Sequence, residues 1–158
     1  MILELDDWQF EVDVETTRLY SEQEAAGHCD CGYCRNYYAC VDETFPGLRP
    51  FLGQFGLNIE APEQLMPFEP TELLVVYAVS GKITRAGERP LSVDAVTVTS
   101  ESAWEAGINT ECPQPYFTLS VGPVEVPWVL EEPMEGIRSP ANLPSFLQRM
   151  RRFILRKS

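Results

Sequence analysis

The chain concentrates its soft donor atoms in one stretch. Four of its five cysteines, Cys29, Cys31, Cys34 and Cys40, fall within twelve residues, and its single histidine, His28, stands at the head of the run. Thiolate and imidazole are the ligands that zinc prefers, so specific chemistry is sought here first. Cys29-x-Cys31-x-x-Cys34 places three thiols on a turn that opens a helix, with Gly32 supplying the bend. The partial positive charge at a helix N-terminus lowers nearby thiol pKa values and favours the thiolates that a metal needs. A tetrahedral site also requires a fourth donor. Cys40 is close in sequence but wrongly turned. Six residues along a helix is roughly 600° of rotation, which points Cys40 about 120° from Cys34 and about 9 Å further along the axis. His28 and the distant Cys112 are better placed. The expected centre is a small structural zinc site at Cys29, Cys31 and Cys34, with His28 as the fourth ligand.

Two other readings compete. Free cysteines are among the most buried residue types, so Cys34 and Cys40 could simply fill a helix–sheet interface, with His28 at the surface as a helix cap. Four cysteines in twelve residues is dense for packing alone. The second reading is thiol exchange. Cys31-Gly32-Tyr33-Cys34 resembles the active-site tetrapeptide of thioredoxin-fold disulfide isomerases. That fold requires a buried strand directly before the motif, whereas residues 19–30 contain no apolar run. The later β region also lacks βαβ alternation, and a thiol–disulfide oxidoreductase is the least supported of the three. No phosphate-binding loop, nucleophile elbow or dinucleotide fingerprint is present. With one histidine, a Cys–His catalytic pair would have to use His28 and its neighbour Cys29, whose side chains face apart. The balance is against an enzyme.

The 158 residues fit one domain, residues 1–158, with enough chain to bury a core. The formal charge of −12 is uneven, because five of the twelve basic residues lie in the last ten positions. Residues 1–148 carry seven basic against 24 acidic side chains, a net of −17. Such a body repels phosphates, so no nucleic-acid partner is expected and an unidentified protein partner is. No run reaches the roughly 18 apolar residues that span a bilayer. The acidic start Met1-Ile2-Leu3-Glu4 is not a secretory signal, and a cytoplasmic location is the expectation. There thiols stay reduced, which favours metal ligands over disulfides.

The elements that must position the cluster follow from periodicity. Trp8, Phe10, Val12 and Val14 alternate with polar residues, the pattern of a half-buried strand. Residues 18–28 read as a loop or short turn. From Tyr33 the period lengthens, and Cys34, Tyr37, Tyr38, Val41 and Phe45 mark one face of a helix. A second short helix carries Leu48, Phe51, Leu52 and Phe55 and stops at Gly56. Three prolines suggest an irregular connection over 58–71. Strands are expected over 73–79, 93–99, 116–121 and 124–130, with a polar loop over 81–90 and Trp104 and Trp128 in the core. Residues 131–144 read as loop. A C-terminal helix follows over 144–155, ending in a basic helical tail over 149–158 that could dock on the acidic body. Short polar connections imply antiparallel pairing. The fold class is α+β: an antiparallel β-sheet or small sandwich with an inserted helical pair and a C-terminal helix.

The combination Cys29-x-Cys31-x-x-Cys34-Arg35-Asn36-Tyr37, then Phe51-Leu52 and Gly56-Leu57, and late Pro127-Trp128-Val129-Leu130-Glu131-Glu132-Pro133, is similar to small uncharacterised bacterial proteins. These share a CxCxxC-[RK]-N-[FY] segment and a late PWVL strand. The resemblance spans most of the chain as scattered short motifs and implies no activity, because none is established for that group. A metal-binding domain with a binding or regulatory role leads. A metal-free interaction domain with its cysteines in the core is the alternative.

Overall fold

The computed structural model describes residues 1–69 and 71–132. Strands β1 (Ile2–Leu5) and β2 (Trp8–Val12) form a hairpin, followed by helices α1 (Val14–Ala26), α2 (Gly32–Thr44) and α3 (Leu48–Gly53). Then come β3 (Gln64–Glu69), β4 (Glu72–Arg85), β5 (Leu91–Val93), β6 (Val96–Ser102), the single-turn helix α4 (Ala103–Ala106) and β7 (Tyr116–Glu125). All seven strands join one antiparallel sheet in the order β1-β2-β4-β7-β6-β5, with β3 also paired to β4. The class is α+β, as the sequence predicts, and the strands make one sheet rather than two stacked ones.

β4 is the spine. Its alternation sends Leu73, Val75, Tyr77 and Val79 into the large core under α2 and α3, and Leu74, Val76 and Ala78 into a smaller core with Phe68, Ile108, Cys112 and Tyr116. β7 covers β4 from Glu72 to Ser80. Along the other edge β3 takes Glu72 to Val76, and β2 takes Gly81 to Arg85. The changeover is at Gly81, where φ is +148° and any Cβ would lie 2.1 Å from the Glu11 carbonyl oxygen. Only glycine lets β2 approach that closely.

Five local expectations fail, the first three for identifiable reasons. Residues 14–26 form a full helix where 18–28 read as a loop or short helical turn, because the buried positions of α1 are polar and hide from a hydrophobic-period search. Its buried Thr17 accepts from the Ser80 amide at 3.0 Å, and Ser21 accepts from the Asn58 amide at 2.8 Å. α1 begins at Asp13, whose carboxylate accepts from the Thr16 amide at 3.0 Å. β3 occupies part of the expected irregular stretch, and its Pro67 is tolerated in a strand with a single partner. The strand expected over 93–99 is instead a hairpin: Asp94 and Ala95 take φ of 51° and 65°, and β5 folds back on β6. β4 runs through the expected loop as far as Arg85, and β7 ends at Glu125 rather than continuing to 130.

Trp104, expected in the core, is 93% exposed on α4. Among the described residues no helix is long and apolar enough to cross a membrane. The loop beyond residue 132, the C-terminal helix over 144–155 and the basic tail over 149–158 lie outside the described residues.

Candidate metal centre

The site grows from the first turn of α2. Cys31 caps the helix in extended conformation, φ −64° and ψ 162°, and its carbonyl accepts the first helical bond from the Arg35 amide at 3.0 Å. The Arg35 side chain reverses over the turn and donates from Nε to the Asp30 carbonyl oxygen at 2.6 Å. The loop before the helix is thereby folded back onto it. Farther along, Tyr37 donates to the Tyr77 hydroxyl at 2.9 Å, which in turn donates to the Ile59 carbonyl at 2.7 Å. That buried chain of hydroxyls locks the helix to β4 and fixes its rotation.

With the helix so held, the sulfurs of Cys29, Cys31 and Cys34 converge, all lying within 4.8 Å of one another. A single ion with bonds of about 2.3 Å sets tetrahedral thiolates about 3.8 Å apart, so the group needs to contract by no more than about 1 Å. An iron–sulfur cubane holds its terminal thiolates farther apart than one ion does, and the observed spacing favours a mononuclear centre. The three thiols differ in setting: Cys29 is exposed, Cys31 half-buried and Cys34 buried. The Cys31 amide donates to Cys29 Sγ at 3.4 Å, which holds the Cys29 thiol pKa below its ordinary value. Burial pushes the Cys34 thiol up, reinforced by the neighbouring Cys31 and Cys29 sulfurs. A bound cation would compensate the charge that burial opposes on Cys34.

The expected fourth ligands do not join this group. His28 is exposed, its ring packs on Tyr38 with centroids 4.8 Å apart, and Nδ1 lies 3.1 Å from the Cys29 carbonyl oxygen. Cys112 is buried in the smaller core, on the sheet face opposite α2, and burial pushes its thiol up to about 12. Cys40 sits in the large core with its thiol toward the Tyr37 carbonyl, as the helical rotation implies.

Sequence reasoning passed over Tyr38 as one more core aromatic. Its hydroxyl is buried and has no hydrogen-bond partner among the described residues. Burial raises its pKa, and the surrounding Cys34, Tyr37 and Cys29 add to the rise. An unpaired donor at that place is what a metal thiolate would accept from.

The structure also brings together two motifs that lie more than ninety residues apart. Buried Asn36 donates to the Pro127 carbonyl at 2.9 Å and accepts from the Val129 amide at 2.7 Å. Arg35 pairs with Glu132, and Tyr33 meets the Trp128 ring edge to face at 5.8 Å. Trp128 Nε1 closes the segment on itself by donating to the Glu132 carbonyl at 2.7 Å. The same helical turn therefore carries the thiols and the docking site for residues 127–132.

Comparison of the chain with protein-family models, curated proteins and solved structures gives no match.

Proposed function

We propose that the protein binds one zinc ion through Cys29, Cys31 and Cys34, with His28 as the fourth ligand, and that the centre is structural. The observation that carries this reading is the convergence of three thiols within 4.8 Å on one turn. The buried Tyr38 hydroxyl, unpaired among the described residues, supports it if a metal thiolate comes within its reach as an acceptor. His28 has to leave Tyr38 and rotate inward. Nothing buried opposes that movement, since residues 27–30 are all exposed.

A structural role fits the surroundings better than a catalytic one. The thiols brace the turn on which residues 127–132 rest. The partner is taken to be a protein, because 24 acidic residues make phosphate contact unfavourable. A metal-free interaction domain is the second reading, favoured by the burial of Cys34 and Cys40.

The deciding experiment is elemental analysis of purified protein with thiol titration before and after chelation. The expected result is about one equivalent of zinc per chain, with Cys29 and Cys31 becoming reactive only after chelation. Less than half an equivalent of any metal, together with freely reactive Cys29 and Cys31 before chelation, would favour the metal-free reading.

A further inference from the structure

Three donors converge at this site, and the fourth is held elsewhere. Zinc must recruit a further ligand to complete its tetrahedron. An ion that is satisfied by three thiolates need recruit nothing. Trivalent arsenic is such an ion: it forms three As–S bonds, close in length to the about 2.3 Å of Zn–S, and keeps a lone pair in the remaining direction.

We propose that the three thiols of Cys29, Cys31 and Cys34 form a binding site for trivalent arsenic, taken up as arsenite, without participation of His28. The inference rests on the same convergence of sulfurs as the zinc reading but does not need the fourth ligand. In the reaction arsenous acid exchanges three As–O bonds for three As–S bonds. Each thiol proton leaves with a hydroxide as water, so three waters are released and no atom changes oxidation state.

The geometry suits this exchange in three respects. Pyramidal bonds of about 2.3 Å set three sulfurs about 3.4 Å apart, so the group, now within 4.8 Å, needs to contract by at most about 1.4 Å. Cys29 at the outer rim is exposed and gives arsenite a first point of attack. Cys34 at the base is buried, so the last As–S bond forms away from water, where hydrolysis is slowest. His28 keeps its packing on Tyr38.

The test compares arsenite and zinc on the reduced, metal-free full-length chain. Affinities are read by calorimetry, and bound arsenic by mass spectrometry under non-denaturing conditions. One arsenic per chain with loss of three titratable thiols is expected. His28→Ala should weaken zinc at least about tenfold and leave arsenite unchanged, because only zinc uses that ring. Cys29→Ser, at an exposed position, should weaken arsenite at least about tenfold by removing one intramolecular bond. The same variant should still bind phenylarsine oxide, which needs only two thiols; this also shows that Cys31 and Cys34 remain in place. Cys112→Ser serves as the control and should change neither ion.

The outcomes separate the two readings. Zinc binding that depends on His28, with no arsenite binding, overturns the arsenic site and leaves zinc standing. Arsenite binding with no zinc does the reverse. Arsenite affinity that survives Cys29→Ser, or that falls with His28→Ala, overturns the three-thiol assignment.

Discussion

At the scale of single residues, Tyr38 offers the sharpest test of whether the cluster holds a metal. Its hydroxyl is out of water and has no partner among the described residues, and an unsatisfied buried polar group costs about 1–3 kcal/mol. In metal-free protein Tyr38→Phe should therefore be neutral or stabilising, by about 1 kcal/mol at most. With zinc bound the sign reverses. The hydroxyl then donates to a thiolate, and losing a donor of that kind weakens metal binding about 10–100-fold. Thermal melts of the variant with and without chelator should cross relative to the parent, and a variant less stable in both states would show the hydroxyl to be unconnected with the site. The thiol positions were legible in the sequence because ligand spacing is local and helical rotation disqualifies Cys40 by arithmetic. The placement of His28 was not, since an aromatic contact with Tyr38 depends on where an exposed loop comes to rest. Nor was the orphaned hydroxyl, because burial of one atom depends on everything packed around it.

At the scale of elements, the long-range clamp between α2 and residues 127–132 is the feature that sequence periodicity could not supply. Asn36 read only as part of a motif, and Pro127-Trp128-Val129-Leu130 read as strand. The segment instead gives its backbone to the Asn36 amide, which serves as a one-residue mimic of a paired strand. Asn36→Ala should cost about 1–2 kcal/mol, because two hydrogen bonds of a buried side chain to the backbone of Pro127 and Val129 are lost. It should also shift Trp128 emission to the red as the segment loosens from Tyr33. Arg35→Ala should change stability by less than about 1 kcal/mol, since its partner Glu132 is exposed and such pairs contribute little. Equal effects of the two substitutions would show that the ion pair rather than the amide holds the segment. Elements with an apolar period, β2, α2 and α3, were recoverable from sequence. α1 was not, because it is held by hydroxyl–backbone bonds at Thr17 and Ser21 rather than by an apolar stripe. The hairpin at Asp94-Ala95 also escaped, since neither the glycine nor the asparagine that usually marks such a turn is present.

At the scale of the whole molecule, the relation between metal and fold follows from where the core lies. Phe10, Leu52, Phe55, Tyr77, Phe117 and Leu119 are all essentially inaccessible to solvent. They form a core between the sheet and the helices, with the thiol cluster at its margin. Small metal-dependent domains unfold on chelation because the ion replaces a core they do not have. Here the core exists without it. Chelation should therefore lower the melting midpoint by only about 5 °C, leave far-ultraviolet dichroism unchanged, and alter the near-ultraviolet signal of the aromatics around Trp128. Charge gives an independent handle on the same question. Among the described residues six basic side chains face 23 acidic ones, and the ion pairs formed are all exposed. Self-repulsion of the whole chain's net −12 is screened by salt, so the midpoint should rise as sodium chloride is raised from low concentration. The rise should be nearly the same with and without zinc, because one site of low net charge changes little of a field spread over the whole surface. Melts in a salt series, run with and without chelator, should give two parallel lines. Loss of the transition on chelation at every salt concentration would show instead that the centre, not the apolar core, holds the fold.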